Sequence, residues 1–136
     1  MSVPDHAIDL DIEVPFHDCD PLFVVWHGRY FQYLQIAHSA LLRSHQLDVP
    51  DLIALGYRMV VTDTRCRYTF PLTFGDIVRV QAWFTSATPC LRVAYTLRNL
   101  TKHRVTARAY TVTATTDRDG NLFAQTPDDI RSRLPL

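Results

Sequence analysis

The sequence predicts an α+β domain with one long helix on one face of an antiparallel sheet of about five strands. Three observations lead there. One alternating segment precedes a single stretch of helical period, four more alternating segments follow it, and turn chemistry separates those later segments.

Residues 8–16 alternate, with Ile8, Leu10, Ile12, Val14 and Phe16 on one face and Asp9, Asp11 and Glu13 on the other, as in a strand with one wet face. Pro15 and the polar residues behind it end the strand, and residues 17–21 form a loop. From Tyr30 to about His45 the period changes. Tyr30, Tyr33, Leu34, Ala37, Ala40 and Leu41 share one helical face, and Gln32, Gln35, Ser39 and Arg43 lie opposite. Such a helix runs roughly 24 Å. Its polar face carries almost no charge, which suits a helix embraced by a sheet rather than one laid against water. A connection punctuated by Pro50 and Gly56 follows.

Val60, Thr62, Thr64, Cys66, Tyr68 and Phe70 then share a face, with Asp63, Arg65 and Arg67 on the other. Residues 76–85, 91–97 and 105–115 repeat the two-residue period and are rich in β-branched side chains. Turn residues stand between them at 73–75, 88–89 and 99–103, and Asp119-Gly120-Asn121 follows the last. Thr126-Pro127-Asp128-Asp129 reads as a cap, a first-turn proline and two acids, opening a short helix that Pro135 stops.

A chain of 136 residues with 47% hydrophobic content suffices for one core, so a single domain over residues 1–136 is expected. The 14 basic and 14 acidic residues cancel without a basic block, which argues against a nucleic-acid partner. The longest apolar runs, such as residues 22–26, fall far short of the roughly 20 residues that span a bilayer. Residues 1–11 do not read as a secretory leader, so no membrane association and a cytoplasmic location are the default expectation. Cys19, Cys66 and Cys90 form no Cys-x-x-Cys pair, and the six histidines show no ligand spacing, so neither a metal nor another cofactor is expected.

Asp20 is the candidate reactive residue. It stands in Phe16-His17-Asp18-Cys19-Asp20-Pro21, seven residues ahead of His27, where the long helix begins. A carboxylate beside a helix start, whose backbone N–H groups can polarise a carbonyl, suits acyl-group hydrolysis. No Ser, Thr, Asp or Asn occupies the expected N-cap at His27 or Gly28, which leaves the first-turn donors free for substrate. Asp18 reads as a turn residue, and Cys19 is a poor nucleophile because both neighbouring carboxylates oppose its ionisation. Arg29, Arg65 and Arg67 are phosphate-contact candidates, weighed against ordinary surface charge.

Residues 14–42 resemble the 4-hydroxybenzoyl-CoA thioesterase family of hotdog-fold proteins. That pattern has an Asp, then four or five apolar or small residues, an aromatic, and His or Tyr before the helix. Here the positions are Asp20, Val24, Val25, Trp26, His27 and Tyr30, and weaker similarity extends over about residues 10–133. The resemblance implies a hotdog fold, in which the sheet wraps a long central helix, and hydrolysis of an acyl-CoA or acyl-carrier-protein thioester. It implies Asp20 as nucleophile or general base, His27 as a second catalytic residue, and a homodimer or homotetramer with sites at the interface. Trp26, Gly28, Arg29, Tyr30, Arg65 and Arg67 are the substrate-binding candidates.

Several positions depart from the family pattern. Leu22 and Phe23 stand where glycine is frequent, Gln35 where Glu is common, and His38 where Arg is common. Residues 85–89 also lack the basic side chains that meet nucleotide phosphates in the aryl-CoA branch. Two other readings are a hotdog dehydratase or hydratase, for which neutral Gln35 is a poor acid, and a non-catalytic acyl-thioester binding protein.

Overall fold

The computed structural model describes residues 3–136; Met1 and Ser2, which belong to the expected domain and to the segment read for a leader, lie outside the described residues. The two-residue alternation becomes five strands: β1 (Ile8–Glu13), β2 (Arg58–Tyr68), β3 (Ile77–Ser86), β4 (Leu91–Asn99) and β5 (Arg104–Thr116). They pair antiparallel in the order β1-β3-β4-β5-β2, so β1 and β2 are the sheet edges. The long helix α1 (Tyr30–Ser44) buries Tyr30, Tyr33, Leu34, Ala37, His38, Leu41 and Leu42 and packs against β1 and β3. Val78, Val80, Val93 and Leu97 come up from the sheet to meet that stripe and are wholly buried. This is the expected hotdog fold. Among the described residues no helix is long and apolar enough to cross a membrane.

Four local features differ from expectation. β1 ends at Glu13 rather than Phe16, because Pro15 has no N–H to offer a ladder. Phe16 instead opens a 3-10 turn, Phe16–Asp18, and meets the Phe74 ring edge-on with centroids 5.6 Å apart. In β2 the register shifts between Val61 and Asp63, leaving Thr62 as a bulge. The extra residue reverses the alternation: Met59 and Val61 face the helix together with Thr64, Cys66 and Tyr68, while Val60 falls on the outer face beside Asp63, Arg65 and Arg67.

The connection around Pro50 is a helix, α2 (Val49–Leu55). Asp48 and Asp51 form a reciprocal capping box at its start, and Gly56 closes it in the left-handed region at φ 85°. The last helix, α3 (Asp128–Arg131), is capped by Pro127, not Thr126. The Thr126 N–H and hydroxyl donate to the Pro89 carbonyl instead, at 2.9 and 3.4 Å.

One buried carboxylate anchors the turn that supports the loop before α1. Asp76 accepts from the Thr73 N–H at 2.9 Å, from Asn99 Nδ2 at 2.8 Å and from Lys102 Nζ at 3.0 Å. The same turn holds that loop, since Leu72 accepts from the Val25 N–H at 2.8 Å and Thr73 bridges Val24. Burial pushes the Asp76 pKa upward, but the Thr73 amide, Lys102 and Asn99 together hold it below the ordinary carboxyl value of 3.8. A folded pKa below the unfolded one contributes stability that is complete above pH 3.8 and is lost as pH falls through the folded value. Asp76→Asn therefore flattens the acid limb of a stability-against-pH profile measured by urea unfolding. An unchanged limb contradicts this role.

Candidate active site

The loop that carries Asp20 is a miniature hairpin. Cys19 bridges Val25, the Asp20 N–H donates to the Val24 carbonyl at 2.8 Å, and the Phe23 N–H returns to the Asp20 carbonyl at 2.9 Å. Pro21, Leu22 and Phe23 form its tip. Phe23 takes φ 67°, the left-handed conformation that three-residue hairpin loops place at this position and that glycine adopts most cheaply. The backbone thus keeps a glycine-like shape with a Phe in it, and the Phe23 ring stands 74% exposed. Asp20 Oδ1 accepts from the Leu22 N–H at 2.8 Å, so the carboxylate is fixed by its own turn. Its Oδ2 has no hydrogen-bond partner among the described residues.

The entrance to α1 is a single 3-10 turn, His27–Arg29, with Trp26 as an N-cap that makes no side-chain hydrogen bond. The cap thus falls one residue before the expected His27, and it is still uncapped by a side chain. The Arg29 N–H closes onto the Trp26 carbonyl at 2.8 Å and the Tyr30 N–H onto His27. The His27 and Gly28 N–H groups find no acceptor among the described residues. Gly28 leaves room for the Trp26 indole, which occupies the space a Cβ there would take.

Asp18 locks this loop to the helix. The carboxylate is buried, accepts from the Tyr33 hydroxyl at 2.6 Å, and lies 3.6 Å from Arg29 Nε and 3.4 Å from His17 Nε2. Its main-chain carbonyl accepts from the Trp26 N–H at 3.0 Å. Burial first, and the Asp18 carboxylate next, push the Tyr33 phenol far above its ordinary pKa, so it stays a donor. Burial followed by the charges of Asp18 and Asp20 likewise raises the Cys19 thiol, which fits a non-nucleophilic cysteine.

A cavity of about 300 Å³ opens beside the helix start, lined by Val25, His27, Tyr30, Tyr68 and Phe70 among others. Tyr68 donates its hydroxyl to the His27 carbonyl at 2.7 Å, and Tyr30 packs edge-on to Tyr68 at 4.7 Å. Asp20 does not line this cavity. Further along the seam between α1 and β2 lie hollows of about 290 and 370 Å³ that share Gln35 and Val61. His38 lies on the second of these, its Nε2 without a hydrogen-bond partner among the described residues, and burial pushes its pKa down to about 4, so it is neutral near pH 7.

The structure therefore gathers Trp26, His27, Gly28 and Tyr30 at the helix start and places Asp20 on the adjoining hairpin. Arg29 is engaged with Asp18 and with Gln32 Oε1 at 3.1 Å. Arg65 and Arg67 point to the opposite side of β2 from Tyr68 and do not join the group. Tyr33, on the buried face of α1, and Tyr68, on the inner face of β2, also contribute, the first by holding Asp18 and the second by holding the His27 carbonyl. Among the described residues no group of three or more His, Cys, Asp or Glu is placed to hold a metal ion.

The five-stranded antiparallel sheet on one long helix defines a protein of the hotdog-fold class, with an uncapped helix entrance beside the hairpin that carries Asp20. Residues 14–134 match the Thioesterase-like superfamily, and the chain belongs to that family. It is 32% identical over 82 residues to "Putative esterase sll0410" of Synechocystis, covering 59% of this chain and 49% of that protein. It is 26% identical over 78 residues to "Putative acyl-CoA thioesterase YneP" of Bacillus subtilis, covering 57% of this chain and 56% of that one. The matched segment thus spans about half the length of these curated relatives. Among solved structures, Slr0204, a 1,4-dihydroxy-2-naphthoyl-CoA thioesterase from Synechocystis, shares the fold with a TM-score of 0.82 at 18% identity, over 94% of this chain and 95% of that one.

Replacing Asp18 tests how the site is held. Asp18→Ala leaves the buried Tyr33 hydroxyl without its acceptor, a loss of about 1–3 kcal/mol in unfolding free energy. Amide exchange over residues 17–28 rises with it. Native-like protection of that loop in the variant contradicts the anchoring role.

Proposed function

We propose that the protein hydrolyses an acyl thioester carried on coenzyme A or an acyl carrier protein. The observation that carries this reading is the pair of His27 and Gly28 amides, without protein acceptors, beside the hairpin that fixes Asp20. Membership of the thioesterase-like family and resemblance to proteins described as esterase and acyl-CoA thioesterase support it.

The thioester carbonyl oxygen binds at those two amides, where a preorganised donor is commonly worth about 3–4 kcal/mol in the transition state. Asp20 then acts in one of two ways. As nucleophile it attacks the carbonyl carbon, the thiolate leaves, and water opens the mixed anhydride; as base it takes a proton from the attacking water. His27 contributes its amide and, through Tyr68, a main chain pinned at its carbonyl. The acyl group extends into the hollows along α1 and β2, whose linings of Leu34, Leu42, Leu52 and Val61 offer apolar contact.

The site is completed by a second copy. β2 is an open edge of eleven residues with Val60 and Val61 exposed, and the outward side of α1 exposes Phe31 and Ile36. Pairing of two β2 edges covers these groups and brings a second surface toward Asp20. A homodimer or larger assembly is the expected mass in light scattering at micromolar concentration. A monomer contradicts it.

Binding without turnover is the competing reading, favoured by the absence of Asp20 from the cavity lining. Thiol release from a panel of acyl-CoA and acyl-carrier-protein esters decides between them. The hydrolytic reading predicts saturable thiol release and a loss of about a hundredfold or more in kcat for Asp20→Asn. Unchanged turnover in the variant rejects the role of Asp20, and saturable binding with no thiol supports the competing reading.

A further inference from the structure

The outer face of the sheet, away from α1, carries a hollow of about 530 Å³ among β2, β3, β4 and β5. Arg65 and Arg67 enter it from β2, Arg92 from β4 and Arg108 from β5, and Trp83 and Tyr110 contribute aromatic walls. Among the described residues no carboxylate lines it. Among the described residues none of the four arginines is in an ion pair. The Arg92 guanidinium lies 4.0 Å from the centroid of the Tyr110 ring, which orders it before any ligand arrives. Tyr110 is itself tethered by its hydroxyl to Asp63 at 3.1 Å.

Four like charges around one hollow repel each other, and a chain with no net charge has no general need to collect them there. An anion relieves that repulsion. Guanidinium groups match phosphate oxygens in geometry, and the ordered Arg92 loses little freedom on binding. Residues 85–89, the turn between β3 and β4, offer no cation of their own.

We infer that this hollow is an anion-binding platform for the phosphorylated nucleotide end of a coenzyme A thioester, held by Arg65, Arg67, Arg92 and Arg108. The inference rests on the proposed thioester hydrolysis and selects coenzyme A over a protein carrier. Arg67 and Tyr68 are consecutive on β2 and point to opposite faces. The platform and the His27 cavity therefore lie on opposite faces of the sheet, with Arg67 and Tyr68 at the same end of β2, the end that the flexible arm between nucleotide and thioester rounds.

The test compares one acyl group on coenzyme A and on pantetheine, which lacks the nucleotide. In the wild type the coenzyme A ester has a kcat/KM at least about tenfold higher, the size of loss expected when a charge-assisted contact is absent. In Arg92→Gln/Arg108→Gln that advantage falls toward one, mainly through KM. A wild-type ratio near one, or an advantage that survives the double substitution, overturns the platform while leaving thioester hydrolysis standing. A loss confined to an acyl-carrier-protein substrate also overturns it, in favour of an acidic protein partner. If neither ester is hydrolysed, the function reading fails and the platform is read directly by calorimetric titration with adenosine 3′,5′-bisphosphate. Saturable binding that the double variant loses supports it, and no saturable binding overturns it.

Discussion

The hydrogen bond from the Tyr33 hydroxyl to the buried Asp18 carboxylate, 2.6 Å long, joins the first turn of α1 to the loop that precedes it. A carboxylate stripped of water persists only where donors and cations compensate the lost hydration, and here the Tyr33 hydroxyl and the Arg29 guanidinium do so. Because the Asp18 carbonyl also takes the Trp26 N–H, one residue holds both ends of the Asp20 hairpin. The position of Asp20 relative to the helix start follows from this lock and from the Leu72–Asp76 turn beneath it. Neither His27 nor Asp20 needs a direct contact with the other for the geometry to persist.

The amides of His27 and Gly28 are available because the sequence withholds a cap. Most helix entrances use Ser, Thr, Asp or Asn at this point; Trp26 has only an indole to offer, and that ring lies over Gly28 instead. The local cost is unsatisfied donors at a helix end, which the first 3-10 turn reduces by closing Arg29 onto Trp26. Phe23 shows the same logic on the neighbouring hairpin. A left-handed residue without glycine is strained, and the three-residue loop retains it where it fixes the orientation of Asp20.

Much of the fold was legible because burial imposes periodicity. The alternation of Ile8, Leu10 and Ile12 and the helical stripe from Tyr30 to Leu41 are direct consequences of one face being dry. The bulge at Thr62 was not legible, since an extra unpaired residue leaves the alternation locally intact and only reassigns its faces. α2 shows no helical period in the sequence because it buries a single residue, Leu52, although Asp48, Pro50, Asp51 and Gly56 spell its two ends. At the candidate site, the loop position of Asp20 follows from the Pro15 and Pro21 breaks and the uncapped helix start from the lack of Ser, Thr, Asp or Asn there, whereas the burial of Asp18 depends on Tyr33, fifteen residues away. Charge shows the same division. A net charge of zero conceals Asp9, Asp11 and Glu13 at the β1 edge and the arginines of β2, β4 and β5 across the sheet, and only strand order separates them.

The central claim is that a thioester carbonyl is gripped by main-chain amides at the entrance to α1 while Asp20 stands beside it. The most direct measurement is a crystal structure with a non-hydrolysable acyl-CoA analogue in which a methylene-linked ketone replaces the thioester. The account predicts its carbonyl oxygen at about 3 Å from the His27 or Gly28 nitrogen, with the Asp20 carboxylate facing the carbonyl carbon. A carbonyl bound elsewhere, with those amides turned to acceptors of the protein itself, contradicts the account.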